Sequence, residues 1–266
     1  MGNAAGSEPG VVNRVGAVIG AVASHGSEGA RLVDIANTTF IARPTVHRLL
    51  ADLVAIGYVE QLPSKRYRLG PELFLLGLSA PAPGWDLASI RRVADSLAEF
   101  TGDTVYVALR QFDGVHYLLR TSGDYPIRTH VVNVGDTKPF TASYAGIALL
   151  AQMDVRDRER AIANRSFDVP ESSLTSSDVE AMLRDAIAQV HQRGFCSGTG
   201  IVMPGVAGMA APVVMPDRPA YMAITISAVD DRLPPARIEE LAPALLDAAR
   251  QLAATIAYSS RKDRTA

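Results

Sequence analysis

The spacing of apolar positions splits the chain into a helical first quarter and a longer stretch where strand and helix periods alternate. Between residues 11 and 24, Val11, Val15, Val18 and Val22 recur at helical intervals, with Val12 and Ile19 widening the stripe; this predicts a first helix. Gly26 and Gly29 interrupt it. A short second helix is expected over residues 31–37, burying Leu32 and Ile35, and a turn through Thr38, Thr39 and Phe40 leads into a third. In the third helix Val46, Leu49, Leu50 and Leu53 form an i, i+3, i+4, i+7 stripe. Pro44 falls in its first turn, where the missing N–H has no helical partner to lose. At about 100° per residue, Thr45, His47, Arg48 and Asp52 fall off that stripe, with Arg48 nearly opposite its centre. Gly57 ends the helix. Residues 58–62 and 66–69 read as two short strands joined through Pro63, Ser64 and Lys65, a hairpin with a basic tip.

Residues 70–78 predict a short apolar helix, and Ser79-Ala80-Pro81-Ala82-Pro83-Gly84 marks a boundary, with a second domain opening near Trp85. A helix is expected over 86–100, with Leu87, Ile90, Ala94 and Leu97 on one face. Strands follow at 104–110 and 115–121, turning at Asp113-Gly114, and another at 128–134. Helices are expected at 142–153 and 156–164, and from Thr175, with Asp178 three residues on, to Arg193-Gly194. The glycine-rich stretch 194–208 leads into strands at 209–215 and 221–227, turning through Pro216-Asp217-Arg218-Pro219, and a last helix spans 235–258. No internal repeat is present. The fold class is therefore α+β: a winged helix-turn-helix over 11–69, a linker helix and hinge over 70–84, and a domain over 85–260 with a mostly antiparallel sheet flanked by helices. Residues 1–10 read as a disordered tail.

Composition narrows the function. With 266 residues, 48% hydrophobic and 20% charged, the chain has the balance of a globular protein large enough for two domains. No apolar run approaches the roughly 18 to 20 residues that span a bilayer, and the N-terminus lacks a basic region followed by an apolar stretch. One cysteine, Cys196, excludes an internal disulfide and a cysteine-rich zinc site, and fits a cytoplasmic protein. No membrane association and no cofactor are expected. The net charge of −2 shows no overall bias toward nucleic acid, so any such signal must be local.

It is local. Between residues 40 and 70, Arg43, Arg48, Lys65, Arg66 and Arg68 face only Asp52 and Glu60, a local charge of +3. Phosphate contacts supply most of the affinity for DNA and base contacts the discrimination. Three helices followed by a hairpin place one helix in the major groove and the hairpin along the backbone. Arg43, Thr45 and Lys65 suit phosphates, His47 and Arg48 suit bases or adjacent phosphates, and Arg66 suits either. The plain alternative is a solvated basic surface, which the agreement of hairpin tip and helix face argues against.

Thr45-Val46-His47-Arg48-Leu49-Leu50, Leu53, Gly57-Tyr58-Val59 and Arg66-Tyr67-Arg68-Leu69-Gly70 closely resemble the winged-helix domain of the IclR family of bacterial regulators. The resemblance continues through Gly135, Pro139-Phe140-Thr141-Ala142-Ser143, Gly146, Leu149-Leu150-Ala151, Arg193-Gly194-Phe195 and Met209-Ala210-Ala211-Pro212-Val213. It implies a GAF-like effector domain and a homodimer, often paired again into a dimer of dimers, in which the first helix helps pair the DNA-binding domains. Two positions depart from the family pattern: Phe40 stands where glycine is usual in the turn, and Pro44 replaces a small polar residue.

The same resemblance implies an effector site at Ser143, Tyr144 and Ala145, at Ser197 and Gly198 in the stretch 197–201, and at Gly208. Members that recognise small organic acids commonly carry acidic residues in the second segment, and none lies between Gly194 and Asp217. Tyr144 replaces a usual glycine, so the expected effector is larger or less polar, such as an aromatic or other catabolic metabolite. The plain reading of Tyr144 is a core tyrosine with its hydroxyl at the rim, and of Cys196 a small buried hydrophobe. The expected function is a sequence-specific transcriptional regulator that binds operator double-stranded DNA under the control of a small-molecule effector. Ligand binding would alter the spacing of paired recognition helices through the 70–78 helix. An alternative is a DNA-binding protein whose C-terminal domain only oligomerises. Catalysis is not expected: the five histidines form no HExxH pair and no GxSxG elbow is present.

Overall fold

The structure, a computed structural model, describes residues 10–79, 86–111, 114–130, 132–163, 176–201, 203–215 and 219–262. The expected tail, the Pro-rich boundary with Trp85, the Asp113 turn, the Thr175 helix start and the turn at 216–218 lie outside these residues, wholly or in large part. The chain divides into two compact units, Met1–Ala82 and Pro83–Ala266.

In the first unit, α1 (Val11–Ala23), α2 (Leu32–Thr39) and α3 (Arg43–Ala55) are followed by the antiparallel strands β1 (Val59–Gln61) and β2 (Tyr67–Leu69) and by α4 (Pro71–Ser79). The helices enclose one core of Val18, Val22, Ile35, Val46, Leu49, Leu50 and Leu53, joined from the hairpin by Val59 and Tyr67. The stripe of α3 is thus the buried one that its spacing demands. The first turn of α1 departs from its stripe: Val11 and Val12 are exposed. Helix α3 closes as a Schellman motif, with Tyr58 N–H on Leu53 O and Gly57 N–H on Val54 O, and Gly57 supplies the left-handed residue at φ 76°. Ala30 and Tyr67 exchange two backbone hydrogen bonds of 2.8 Å, which extend the hairpin by a bridge.

The second unit is built on one antiparallel sheet of six strands in the order β5-β4-β3-β8-β7-β6. They are β3 (Thr104–Arg110), β4 (Gly114–Ser122), β5 (Thr137–Pro139), β6 (Cys196–Thr199), β7 (Val206–Pro212) and β8 (Met222–Val229). Alternation at period two gives each face its own core. Val105, Val107, Met209, Ile224 and Ile226 pack with Ile90 and Leu97 of α5 (Leu87–Thr101) and Leu245 and Leu252 of α9 (Pro235–Lys262). On the other face Tyr106, Ala108, Ala210 and Ala223 pack with α6 (Tyr144–Leu150) and with Leu183 and Ile187 of α8 (Ser176–Arg193). A short helix α7 (Val155–Ala163) precedes α8.

Three expectations need correction. The described residues of 128–134 are in no strand: Thr129 O accepts the Tyr106 hydroxyl and Val132 O accepts Arg120, so side chains satisfy these two carbonyls, and the strand that follows is Thr137–Pro139. The glycine-rich stretch, expected to lead into a strand at 209, already holds β6 and the start of β7 at Val206. Leu87 is exposed instead of joining the α5 core stripe, which runs Ile90, Ala94, Leu97, Ala98.

Candidate nucleic-acid interface and ligand site

Helix α2 ends at Phe40, which takes the left-handed conformation (φ 56°, ψ 24°) although it carries a Cβ, and whose ring is 67% exposed. The backbone then enters α3 at Ala42, with no side-chain cap and with Pro44 in the first turn. His47 and Arg48 are exposed on α3 and Thr45 is half-buried. At the hairpin tip Lys65 is exposed and also left-handed (φ 59°), its N–H bonded to Leu62 O at 2.9 Å. The side chains of Arg43, Arg48 and Lys65 make no hydrogen bond or ion pair among the described residues, so their charges face outward uncompensated. The other two arginines of the cluster are engaged. Arg66 donates to Gly29 O at 2.9 Å, tying β2 to the turn before α2, and Arg68 pairs with Glu60 directly across the hairpin. What the fold leaves available is a narrower cationic surface than the raw count suggests: the exposed face of α3 and the Lys65 tip.

In the second unit the turn Phe140–Ala142 delivers the chain to Ser143, whose hydroxyl caps α6 by accepting Gly146 N–H at 2.9 Å. Tyr144, next in line, is 2% exposed and donates its hydroxyl to Gly198 O of β6 at 2.6 Å. Gly198 pairs with Gly208 of β7, and the ring lies over this pair of bare backbones: a Cβ on Gly208 would stand 2.6 Å from Tyr144 Cε2. Burial holds the Tyr144 hydroxyl un-ionised, well above the usual phenol range. Ala145 is buried in the same core, while Ser197 alternates away from the Gly198–Gly208 pair and bonds Gln189 through its N–H and hydroxyl. The structure therefore brings Tyr144, Gly198 and Gly208 together and gives Ser143, Ala145 and Ser197 local partners of their own. Cys196, fully buried, has its thiol pushed up to about 12 by desolvation. Among the described residues no group of histidine, cysteine, aspartate and glutamate has the arrangement of a metal site.

Residues 86–254 match the family profile for the bacterial transcriptional regulator IclR C-terminal domain, and residues 11–63 match the IclR helix-turn-helix domain. The chain belongs to the IclR family. It is a DNA-binding transcriptional regulator with an effector-binding C-terminal domain. An IclR-family relative, the glycerol operon regulatory protein of Streptomyces griseus, is 31% identical over 82% of this chain and 85% of its own. An IclR regulator structure from Silicibacter sp. TM1040 covers 92% of this chain and 95% of its own at a TM-score of 0.66 and 26% identity. An IclR homologue from Microbacterium hydrocarbonoxydans, solved with 4-hydroxybenzoate, matches at a TM-score of 0.54 and 21% identity over 93% of this chain and 99% of its own.

Against the IclR pattern the sequence reading missed one feature of the ligand-site face. Thr225 and Ser227 of β8 point to the same side as Ala210 and Gly208, and both are buried. The Ser227 hydroxyl accepts from Thr129 at 2.9 Å, while the Thr225 hydroxyl has no partner among the described residues. Their signal was present in Ile224-Thr225-Ile226-Ser227, where hydroxyls alternate with large apolar residues. Alternation marks which residues share a face but not what covers that face.

Proposed function

We propose that α3 enters the major groove of operator DNA with His47 and Arg48 at base edges or adjacent phosphates. Arg43, Thr45 and Lys65 hold the backbone, and Arg66 shapes the wing from within while its remaining N–H groups reach phosphate. The observation that carries this is the outward-facing, uncompensated set Arg43, Arg48 and Lys65 beside a fully packed α3 core. Residues 11–69 form the DNA-binding domain, 70–84 the connection and 85–260 the effector domain. The protein works in the cytoplasm as a homodimer that can pair again into a dimer of dimers, with no catalytic activity of its own. The dimer is supported by α4, which buries no residue and exposes Phe74, Leu75, Leu76 and Leu78.

The effector position is the start of α6 with β6 and β7, at Ser143, Tyr144, Ala145, Ser197, Gly198 and Gly208. The segment 194–217, without a charged side chain until Asp217, favours an aromatic or similarly apolar catabolic metabolite over a small organic acid; the 4-hydroxybenzoate bound by the M. hydrocarbonoxydans homologue shares the aromatic ring but adds a carboxylate. The test is salt-dependent binding of the full-length protein to the promoter regions flanking its own gene. Arg48→Ala should weaken it by about 1–3 kcal/mol and reduce the salt slope by about one. No salt-sensitive association in the wild type, or an unchanged affinity in the variant, rejects the reading.

A further inference from the structure

The Tyr144 side chain sits where an effector-sized ring would have to sit. It is closed off from solvent, its ring packs against Gly198 and Gly208, and its hydroxyl has a carbonyl partner at 2.6 Å. Glycine at 208 leaves room for one aromatic ring, because a Cβ there would overlap that ring, whereas a Cβ on Gly198 would stand in ordinary contact with it at 3.6 Å. No charged residue lies between Gly194 and Asp217 to greet an ionic ligand, and the Asp230 carboxylate that acts on the Tyr144 hydroxyl further disfavours an anion. On the same sheet face the buried Thr225 hydroxyl lacks a partner among the described residues, a polar group that the native packing leaves unmet.

We propose that Tyr144 is a built-in occupant of the effector position, and that this chain's effector is a neutral ring bearing a hydroxyl donor that replaces the Tyr144 phenol on Gly198 O. This rests on the reading of α6, β6 and β7 as the effector position. The tyrosine is then an internal competitor. A ligand enters only when the phenol swings out, so apparent affinity is the intrinsic affinity multiplied by the fraction of time the slot stands open. The hydroxyl sets specificity, since a ring without a donor leaves the desolvated Gly198 carbonyl unpaired.

The probe is p-cresol, the tyrosine side chain without its backbone, with toluene as the ring lacking a donor. Binding to full-length wild type, Tyr144→Ala and Tyr144→Phe is measured by titration calorimetry, with circular dichroism to establish folding. Tyr144→Ala should bind p-cresol about tenfold or more tighter than wild type, and toluene several-fold more weakly than p-cresol. Tyr144→Phe keeps the ring and the packing but loses the anchor, so it should bind p-cresol about three- to tenfold tighter than wild type. If Tyr144→Ala does not fold, Tyr144→Phe decides alone. Equal p-cresol affinity in wild type and the folded variants, or toluene bound by Tyr144→Ala as tightly as p-cresol, overturns the proposal. These titrations contain no DNA, so their failure leaves the operator reading standing, and absent operator binding by the wild type rejects that reading without touching them.

Discussion

Among the described residues two side chains occupy backbone conformations that a Cβ disfavours: Lys65, on the surface proposed to meet DNA, and Phe40, at the turn that leads into it. Phe40 at the α2–α3 turn is the clearer case, because its ring is exposed and recovers little burial for the strain. Phe40→Gly should raise stability by about 0.5–1 kcal/mol, the relief of strain less the added freedom of the unfolded chain, as read from a urea midpoint at unchanged slope. Buried ionisable groups set the response to alkali. Cys196 rises from 9.0 to about 12 and Tyr117 from 10.0 to about 12, each because burial penalises its charged form. The unfolded chain loses these protons first, so it binds fewer than the native state once pH passes about 9, and stability falls as pH rises from there toward about 12. Urea midpoints should be level between pH 7 and 8.5 and decline at pH 10. Cys196 should resist alkylation at pH 8 until denaturant is added; rapid labelling of the native protein would contradict its burial.

At the scale of elements, the second unit is held at one end of its sheet by charge. Asp103, between α5 and β3, has a side chain 1% exposed and accepts from Arg232 at 2.6 Å, in the turn before α9, and from Arg237 at 3.3 Å, in the first turn of α9. Both arginines also reach Thr101 O, and Arg232 stacks over the Tyr125 ring at 3.6 Å. Hydrogen bonding to Asp103 raises the Arg232 pKa further, so the guanidinium stays charged at any working pH. Asp103→Ala leaves two partly buried cations without a counter-charge and should cost about 3 kcal/mol, measured by thermal or urea unfolding. A loss under 1 kcal/mol would mean that water already satisfies the arginines.

For the whole molecule, the exposed apolar face of α4 is the feature that a monomer explains least. Replacing Phe74 and Leu78 with glutamate should lower the assembly state in light scattering after gel filtration, and weaken operator binding by removing the second half-site contact. An unchanged mass would place the dimer contact elsewhere. Regulation at this scale requires a ligand to prefer one conformation over another, and the Tyr144 slot is where such a preference would be set.

The recognition helix and its outward arginine were legible in the sequence because a helix with one buried stripe has only one place for Val46, Leu49, Leu50 and Leu53, and so only one for Arg48. The winged-helix order, the α+β class and the shared faces of the main strands followed from periodicity in the same way. Tertiary structure alone decided which partners meet: Arg66 with Gly29, Arg68 with Glu60 across the hairpin, and Tyr144 with Gly198 and Gly208, 54 residues or more along the chain. Periodicity reports which way a side chain faces, whereas whether a charge is spent or a slot is filled depends on what another segment brings to it.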